Sequence, residues 1–253
     1  TDLITRKFLD NHFYGFTFNV EHQISDFLQE GKKKNSFSWS LGGAWNQYDG
    51  DHYGHIIWMK YAGNTPVNYP WYEGNGNKKQ LNLFGTFSYN LNNQIYTYVD
   101  LQYRHIHYLI TGIDDNLLDI GQQYIWNFFN PKAGFNYSWK NNTNTIEHSI
   151  YTSLALSHRE PTRADLVDSP EEQKPVPERM FDVEFGYRIK DAKMAFNING
   201  YYMYYINQLV LTGEINDVGA ALMKNVPYSY RSGIELIAAY QPLHFFQWKI
   251  NGT

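Results

Sequence analysis

FDVEFGYRIK, residues 181–190, decides the fold. Phe181, Val183, Phe185, Tyr187 and Ile189 fall on one parity, and Asp182, Glu184, Gly186, Arg188 and Lys190 on the other. A period of two marks an extended strand with one apolar and one polar face. The pattern spreads outward from there. Met194, Phe196, Ile198, Gly200, Tyr202 and Tyr204 alternate with Ala195, Asn197, Asn199, Tyr201 and Met203. Upstream, Leu81, Leu83, Gly85, Phe87 and Tyr89 form one such set, and Ile95, Thr97, Val99, Leu101 and Tyr103 another. Ile146, Ile150, Leu154 and Leu156 oppose Glu147, Ser149, Tyr151 and Ser153. Weaker versions lie near 11–24, 35–48, 126–139, 226–241 and from 244 onward. No comparable stretch has helical period. The chain therefore reads as all-β, with about ten long strands.

The connections order those strands. Short polar turns are expected at Leu91-Asn92-Asn93, at Lys140 to Thr145, at Asp191-Ala192 and at Gln241-Pro242-Leu243. Asn, Asp and Pro suit tight turns through left-handed tolerance, side-chain bonding to the backbone and a fixed φ. These turns recur every fifty residues or so, and the longer connections 49–77, 112–125, 159–177 and 213–225 fall between them. Alternation of short and long connections is the habit of an outer-membrane barrel, with turns on the periplasmic side and loops outside. Strands of 10–13 residues, tilted by about 45°, would span roughly 24–30 Å, enough to cross the apolar band. The expectation is an antiparallel up-and-down meander forming part of a large transmembrane β-barrel.

Composition narrows the function. The 253 residues carry 21 Lys+Arg and 25 Asp+Glu, a net charge of −4, which speaks against a nucleic-acid binder. Cysteine is absent, which excludes disulfides, zinc–thiolate sites and cysteine nucleophiles. There is no apolar run long enough for a transmembrane helix. Aromatic residues reach 18%, as strands and membrane interfaces favour. Trp139 and Trp248 lie near short turns, and Trp45, Trp126, Tyr204 and Tyr205 near the opposite ends, so two aromatic girdles are expected. No nucleophile elbow, phosphate loop or H-E-x-x-H motif occurs, and Glu171/Glu172 sit side by side in a charged run. The reading is not an enzyme, and no cofactor is called for.

Several blocks carry a family likeness. NFFNPKAGFNYSW (127–139), REPTR (159–163) after SLALSH, and NVPYSYRSGIEL (225–236) resemble barrel segments of TonB-dependent outer-membrane receptors. GGAWNQYDGDHYG (42–54) with YYMYYINQLVLTGEINDVG (201–219) is similar to members from the Bacteroidetes group. In that family a plug domain fills a barrel of 22 strands. The resemblance implies that residues 1–253 are a partial barrel of about 10 of 22 strands, an internal piece whose plug and remaining strands lie elsewhere. It also implies a place in the bacterial outer membrane, coupling to the TonB complex, and energised uptake of a scarce small-molecule ligand such as an iron–siderophore, haem or cobalamin. The alternative is a soluble carbohydrate-binding or glycan-hydrolysing β protein, supported by aromatic content alone.

Candidate residues follow. Trp58, Tyr61, Tyr69, Trp71 and Tyr72 in the 49–77 connection could stack a flat ligand, or close the loop on itself. Arg104, Arg159, Arg163 and Glu184 belong on the polar, lumenal face, where they would meet the plug or the ligand. Arg159 could instead form a cross-strand ion pair with Glu184 or Asp182. His52 and His55 near Asp49 and Asp51, and His105 and His107 near Asp114 and Asp115, have metal-binding chemistry. Solvated loop residues are the better reading there, and no metal site is expected.

Overall fold

The computed structural model describes residues 2–25, 35–92, 94–143, 145–170, 173–215 and 221–253. It contains ten strands: β1 (Leu3–Ser25), β2 (Ser36–Met59), β3 (Tyr69–Leu91), β4 (Ile95–Gly112), β5 (Gln122–Lys140), β6 (Glu147–Arg159), β7 (Glu178–Lys190), β8 (Met194–Ile215), β9 (Ala221–Leu243) and β10 (Phe246–Gly252). A five-residue helix, α1 (Arg163–Val167), interrupts the β6–β7 connection. The strands form one sheet in the order β1 to β10, each paired with its sequence neighbours, so the expected meander is what the chain adopts. The chain divides into two compact units, Thr1–Phe18, Gly42–Leu83 and Tyr103–Phe128 in one, and Asn19–Leu41, Phe84–Gln102 and Phe129–Thr253 in the other.

The strands are far longer than periodicity suggests. β2 has 24 residues and β3 and β9 have 23 each. The connections expected at 49–77 and 112–125 contract to 60–68 and 113–121. At about 3.3 Å per residue and 45° tilt, 24 residues rise roughly 56 Å, about twice the apolar band. The excess runs in water, where no apolar face is needed and the period of two fades, as in DGDHYGH (49–55) and EGNGNKK (73–79). A backbone ladder continues there without the sequence signal.

The short turns are built as their residues require. Asn92 takes a left-handed φ of 54°, and Gln94 N donates to Leu91 O at 3.1 Å; Asn93 lies outside the described residues. Asn141 Oδ1 accepts from Thr145 N (2.9 Å) and Ile146 N (3.1 Å). Asp191 Oδ1 accepts from Lys193 N (2.7 Å) and Met194 N (2.8 Å). Those two amides, aided by the Lys193 ammonium, hold its carboxyl below the usual carboxylate range. The last turn falls at 244–245 rather than 241–243: Pro242 is absorbed into β9, and the chain reverses at His244-Phe245.

Register makes the two faces explicit in the second unit. One face runs in rows across β6–β9: Leu156–Phe181–Tyr204–Tyr230, Leu154–Val183–Tyr202–Ser232, Thr152–Phe185–Gly200–Ile234 and Ile150–Tyr187–Ile198–Leu236. This apolar face is open: Leu154 is 56% exposed, and Phe185 and Ile234 are each 60% exposed. In an outer-membrane barrel such a face meets lipid. Girdle residues bound it. Trp139 stacks on Tyr137 (5.4 Å) and on His148 (5.3 Å), and Trp248 meets Tyr240 edge-on (6.1 Å), all beside short turns. At the far end Tyr204 stacks with Tyr228 at 6.3 Å. Two expected girdle members are elsewhere. Tyr205 is buried on the opposite parity, and Trp126 stacks on Tyr124 in register with buried Phe128. Within the first unit Trp45 packs against Tyr14 and Phe16.

The polar face is flattened by tyrosines lying across glycines. Tyr151 of β6 covers Gly186 of β7 and carries its hydroxyl on to Asn197 of β8 at 3.1 Å. Tyr98 covers Gly134, and Tyr201 covers Gly233. A methyl at Gly186 would drive into the Tyr151 ring, whereas one at Gly200 would meet only Phe185 O, at 3.9 Å. Gly186→Ala should therefore destabilise the receptor carrying this chain by about 1–3 kcal/mol through overpacking. Gly200→Ala should be neutral or stabilise it by up to about 1 kcal/mol through the unfolded chain. Reversible urea unfolding in lipid vesicles reads both.

The face assignment has its own test. Phe185→Arg should cost about 2–4 kcal/mol, the penalty for a cation near the bilayer midplane, while Glu184→Gln should leave stability nearly intact. Unfolding in vesicles or a matched detergent compares the two. Equal losses would show that the apolar face does not meet lipid.

Candidate functional site

The polar face of the second unit is a wall of charged and amide side chains whose rows are fixed by register. Lys132–Ala155–Asp182–Met203–Arg231 forms one row, Gly134–Ser153–Glu184–Tyr201–Gly233 the next, and Asn136–Tyr151–Gly186–Asn199–Glu235 the third. Glu184 stands on this face between Ser153 and Tyr201, and its carboxylate has no hydrogen bond or ion pair among the described residues. Asp182 Oδ1 and Asn199 Oδ1 are buried and also lack a partner there, and Asn199 as a whole is only 8% exposed. The cations of the wall lie on rings instead of on carboxylates. The Lys132 ammonium is 6.0 Å from the Tyr98 ring, the Arg188 guanidinium 5.6 Å from Tyr151, and that of Arg231 5.4 Å from Tyr205. Such contacts contribute roughly 0.5–1 kcal/mol each at open sites and leave the donors of the cation usable. The wall thus presents acceptors and donors that its own strands do not consume.

Arg159 proves to be bound in the structure of the wall. It ends β6 directly opposite Glu178, and its Nε lies 3.0 Å from Glu178 Oε1 and its Nη2 3.1 Å from Oε2. The partner is Glu178, not Glu184 or Asp182, which pair with Ser153 and Ala155 further along the strands. Glu178 Oε2 also accepts from Leu209 N at 2.8 Å. The ion pair thus fastens three strands at the mouth of the β6–β7 connection. Arg163 opens α1 just after the Thr162 N-cap, whose hydroxyl and amide pair with Asp165 in a capping box. Its Nε is buried without a partner among the described residues. The connection is then pinned by Asn225 of β9, whose Nδ2 donates to Val176 O (2.9 Å) and Asn207 O (2.7 Å) while its Oδ1 accepts from Val176 N (2.8 Å). Asn225 opens the block 225–236, but no spacing or pairing pattern there points to this role. Glu171 and Glu172 lie outside the described residues.

Within the first unit the outer ends of β2–β5 carry the other candidates. Trp58 lies at the end of β2, Tyr61 sits in the turn, and Tyr69, Trp71 and Tyr72 open β3. Tyr61 is 79% exposed, and Trp58 and Tyr69 about half exposed. Trp71 and Tyr72 instead meet each other edge-on at 5.4 Å, and the Tyr72 ring covers Gly54. So three rings are exposed and two are committed to the hairpin. Arg104 lies over the Phe128 ring at 5.7 Å, beside a buried group of Ile106, Tyr108, Ile110 and Ile120. Apolar packing on this parity does not follow from the periodicity; it arises because the 113–121 connection folds back, with Ile120 N donating to Gly112 O at 3.0 Å.

The histidine groups are strand residues, not loop residues. Asn75 Nδ2 donates to both Asp49 Oδ1 and Asp51 Oδ1 at 2.7 Å, and His55 packs on Phe8 and Tyr53. His105 pairs with Asn127 and His107 with Gln123, each at 2.8 Å. Among the described residues no three His, Asp or Glu side chains converge to hold a metal ion.

Removing Glu178 should matter more than removing Arg159. Glu178→Ala strands the Leu209 amide and should cost about 1–3 kcal/mol. Arg159→Ala breaks a pair whose Arg side chain is 52% exposed and should cost about 0–1 kcal/mol. Denaturant titration of both variants and the double variant checks the order.

Comparison with known proteins agrees with this geometry. The family model described as "TonB dependent receptor-like, beta-barrel" matches residues 3–253. No curated protein matches the sequence. Among solved structures, the copper transporter OprC aligns with a TM-score of 0.69 at 12% identity, covering 98% of this chain and 38% of that one. The ferric yersiniabactin uptake receptor FyuA from Yersinia pestis aligns with a TM-score of 0.58 at 12% identity, covering 97% and 35%. A double mutant of the Serratia marcescens hemophore receptor HasR, in complex with its hemophore HasA and heme, aligns with a TM-score of 0.60 at 15% identity, covering 94% and 40%. The chain spans roughly two-fifths or less of each. A soluble sugar-binding or glycan-hydrolysing protein is set aside, because the family is one of outer-membrane receptors and not of enzymes. The chain belongs to the TonB-dependent receptor-like β-barrel family and forms part of a barrel in the bacterial outer membrane.

Proposed function

We propose that residues 1–253 are part of the barrel of a receptor that takes up a scarce ligand of the iron–siderophore, haem or cobalamin kind. A plug domain outside this chain would fill the lumen, and the TonB complex would supply the energy. The observation that carries the reading is the polar wall. Glu184 stands on it without a side-chain hydrogen bond or ion pair among the described residues, and Lys132, Arg188 and Arg231 lie on rings with donors to spare. A plug seated against the wall would meet these groups as charged contacts. Arg104 and Arg163 belong to the lumen in this reading, while Arg159 acts as a strand fastener.

The exposed rings of Trp58, Tyr61 and Tyr69 suit a ligand with a flat or aromatic body, which stacks on them with little conformational cost. Trp71 and Tyr72 shape the hairpin that presents them.

Calorimetry on the full-length receptor with a panel of ferric siderophores, haemin and cyanocobalamin tests this directly. One ligand class should bind. Replacing Trp58, Tyr61 and Tyr69 together by Ala should then weaken that ligand about tenfold or more, as expected for losing several aromatic contacts. Tyr72→Ala should lower stability and leave the affinity close to its starting value. Unchanged affinity in the triple variant would move ligand recognition away from this hairpin.

A further inference from the structure

The apolar face of β7–β9 is not evenly filled. Gly200 sits in the row Phe185–Gly200–Ile234, and the missing side chain opens a groove of about 580 Å³. Val183, Phe185, Ile198, Tyr202 and Ile234 wall it, and Gly200 floors it. All of these stand on the lipid-facing rows, so the groove is continuous with the bilayer contact and opens to hydrocarbon.

A cation stands above it on the same face. Arg179 shares parity with Phe181, Val183 and Phe185 and lies at the end of β7 nearest the long β6–β7 connection. It is exposed, and its Nε donates to His158 Nε2 at 3.1 Å. Since a guanidinium only donates, His158 Nε2 is the acceptor, so its Nδ1 carries the proton and donates to Asn130 Oδ1 at 2.8 Å. The Asn130–His158 relay therefore braces the guanidinium through one nitrogen. Its two Nη groups have no partner among the described residues. This is a cation held in place for something outside the sheet.

The spacing joins the two features. Six residues separate Arg179 from Phe185, about 20 Å along the strand, which at 45° tilt is a descent of about 14 Å. Half of a hydrocarbon core about 30 Å thick is about 15 Å. With Arg179 at the outer headgroup level, the groove lies at the bilayer midplane, where an acyl chain descending from that headgroup ends.

We propose that this face seats one anionic, phosphate-bearing membrane lipid. Its phosphate would bind the Arg179 guanidinium, and one acyl chain would run down past Phe181 and Val183 into the groove over Gly200. Charge complementarity selects the headgroup, and the groove retains the chain. The inference rests on the outer-membrane location and the apolar face, and it is independent of which ligand the receptor imports.

Native mass spectrometry of the full-length receptor in detergent, titrated with dioleoyl phosphatidylglycerol or with dioleoyl phosphatidylcholine, tests it. The wild-type receptor should retain one phosphatidylglycerol in preference to phosphatidylcholine, and inorganic phosphate should not displace it. Arg179→Gln should reduce phosphatidylglycerol retention about fivefold and remove the preference, the size expected for one basic residue at an anionic interface. Arg179→Lys should keep the preference. Gly200→Leu, which fills the groove on a face that tolerates apolar side chains, should reduce retention of both lipids. Arg188→Gln, on the opposite face, should change neither. The proposal is overturned if Arg179→Gln retains phosphatidylglycerol like the wild type, if Gly200→Leu leaves retention unchanged, or if inorganic phosphate competes. It is equally overturned if a second receptor copy occupies the face in place of lipid.

Discussion

Everything in this chain depends on the inter-strand hydrogen-bond ladder. In hydrocarbon a backbone amide or carbonyl has no water to turn to, and each one left unpaired costs several kcal/mol. A sheet meets that demand only if every strand has a neighbour on both sides. The sequential order β1 to β10 gives the inner strands two neighbours at the lowest connection cost. Among the described residues β1 and β10 each have one neighbour, and the chain aligns with only about two-fifths of related structures.

Given the ladder, the side chains need only distinguish two solvents, and this is why so much of the fold was legible. On β7 the alternation separates Phe181, Val183 and Phe185 from Asp182 and Glu184, and the structure exposes the first set and half-buries the second. Where the surrounding medium is water on both faces, the constraint lapses. The outer halves of β2 and β3 therefore read as loops, although their backbones are still paired. The sequence signal measures the bilayer, and the strand is longer than the bilayer.

The candidate site was legible in part for the same reason. Glu184 could be placed by parity alone. Arg159 falls on the right face, but its partner depends on the pairing of β6 with β7, in which Arg159 meets Glu178, and nothing in β6 itself fixes that register. Tyr205 and Trp126 escape the girdles because parity, not nearness to a strand end, decides which face a ring joins. Asn225 shows the other limit. Its three hydrogen bonds exist only once Val176 and Asn207 are brought to it, and Asn207 itself sits at a left-handed φ of 53°.

The pairing of tyrosine with glycine links the two faces to each other. A ring laid across a bare backbone shields the ladder beneath it and keeps the polar wall low. Tyr151 over Gly186 and Tyr201 over Gly233 bracket the place where Glu184, Asp182 and Asn199 stand. Upright side chains at those glycines would displace the rings and roughen the wall. Gly200 shows the contrast on the lipid side, where no aromatic ring lies over the bare backbone and a groove remains. The same residue type thus serves opposite ends. Under a tyrosine it keeps a smooth, hydrogen-bonding wall, and left bare it leaves an apolar recess on the face that meets lipid.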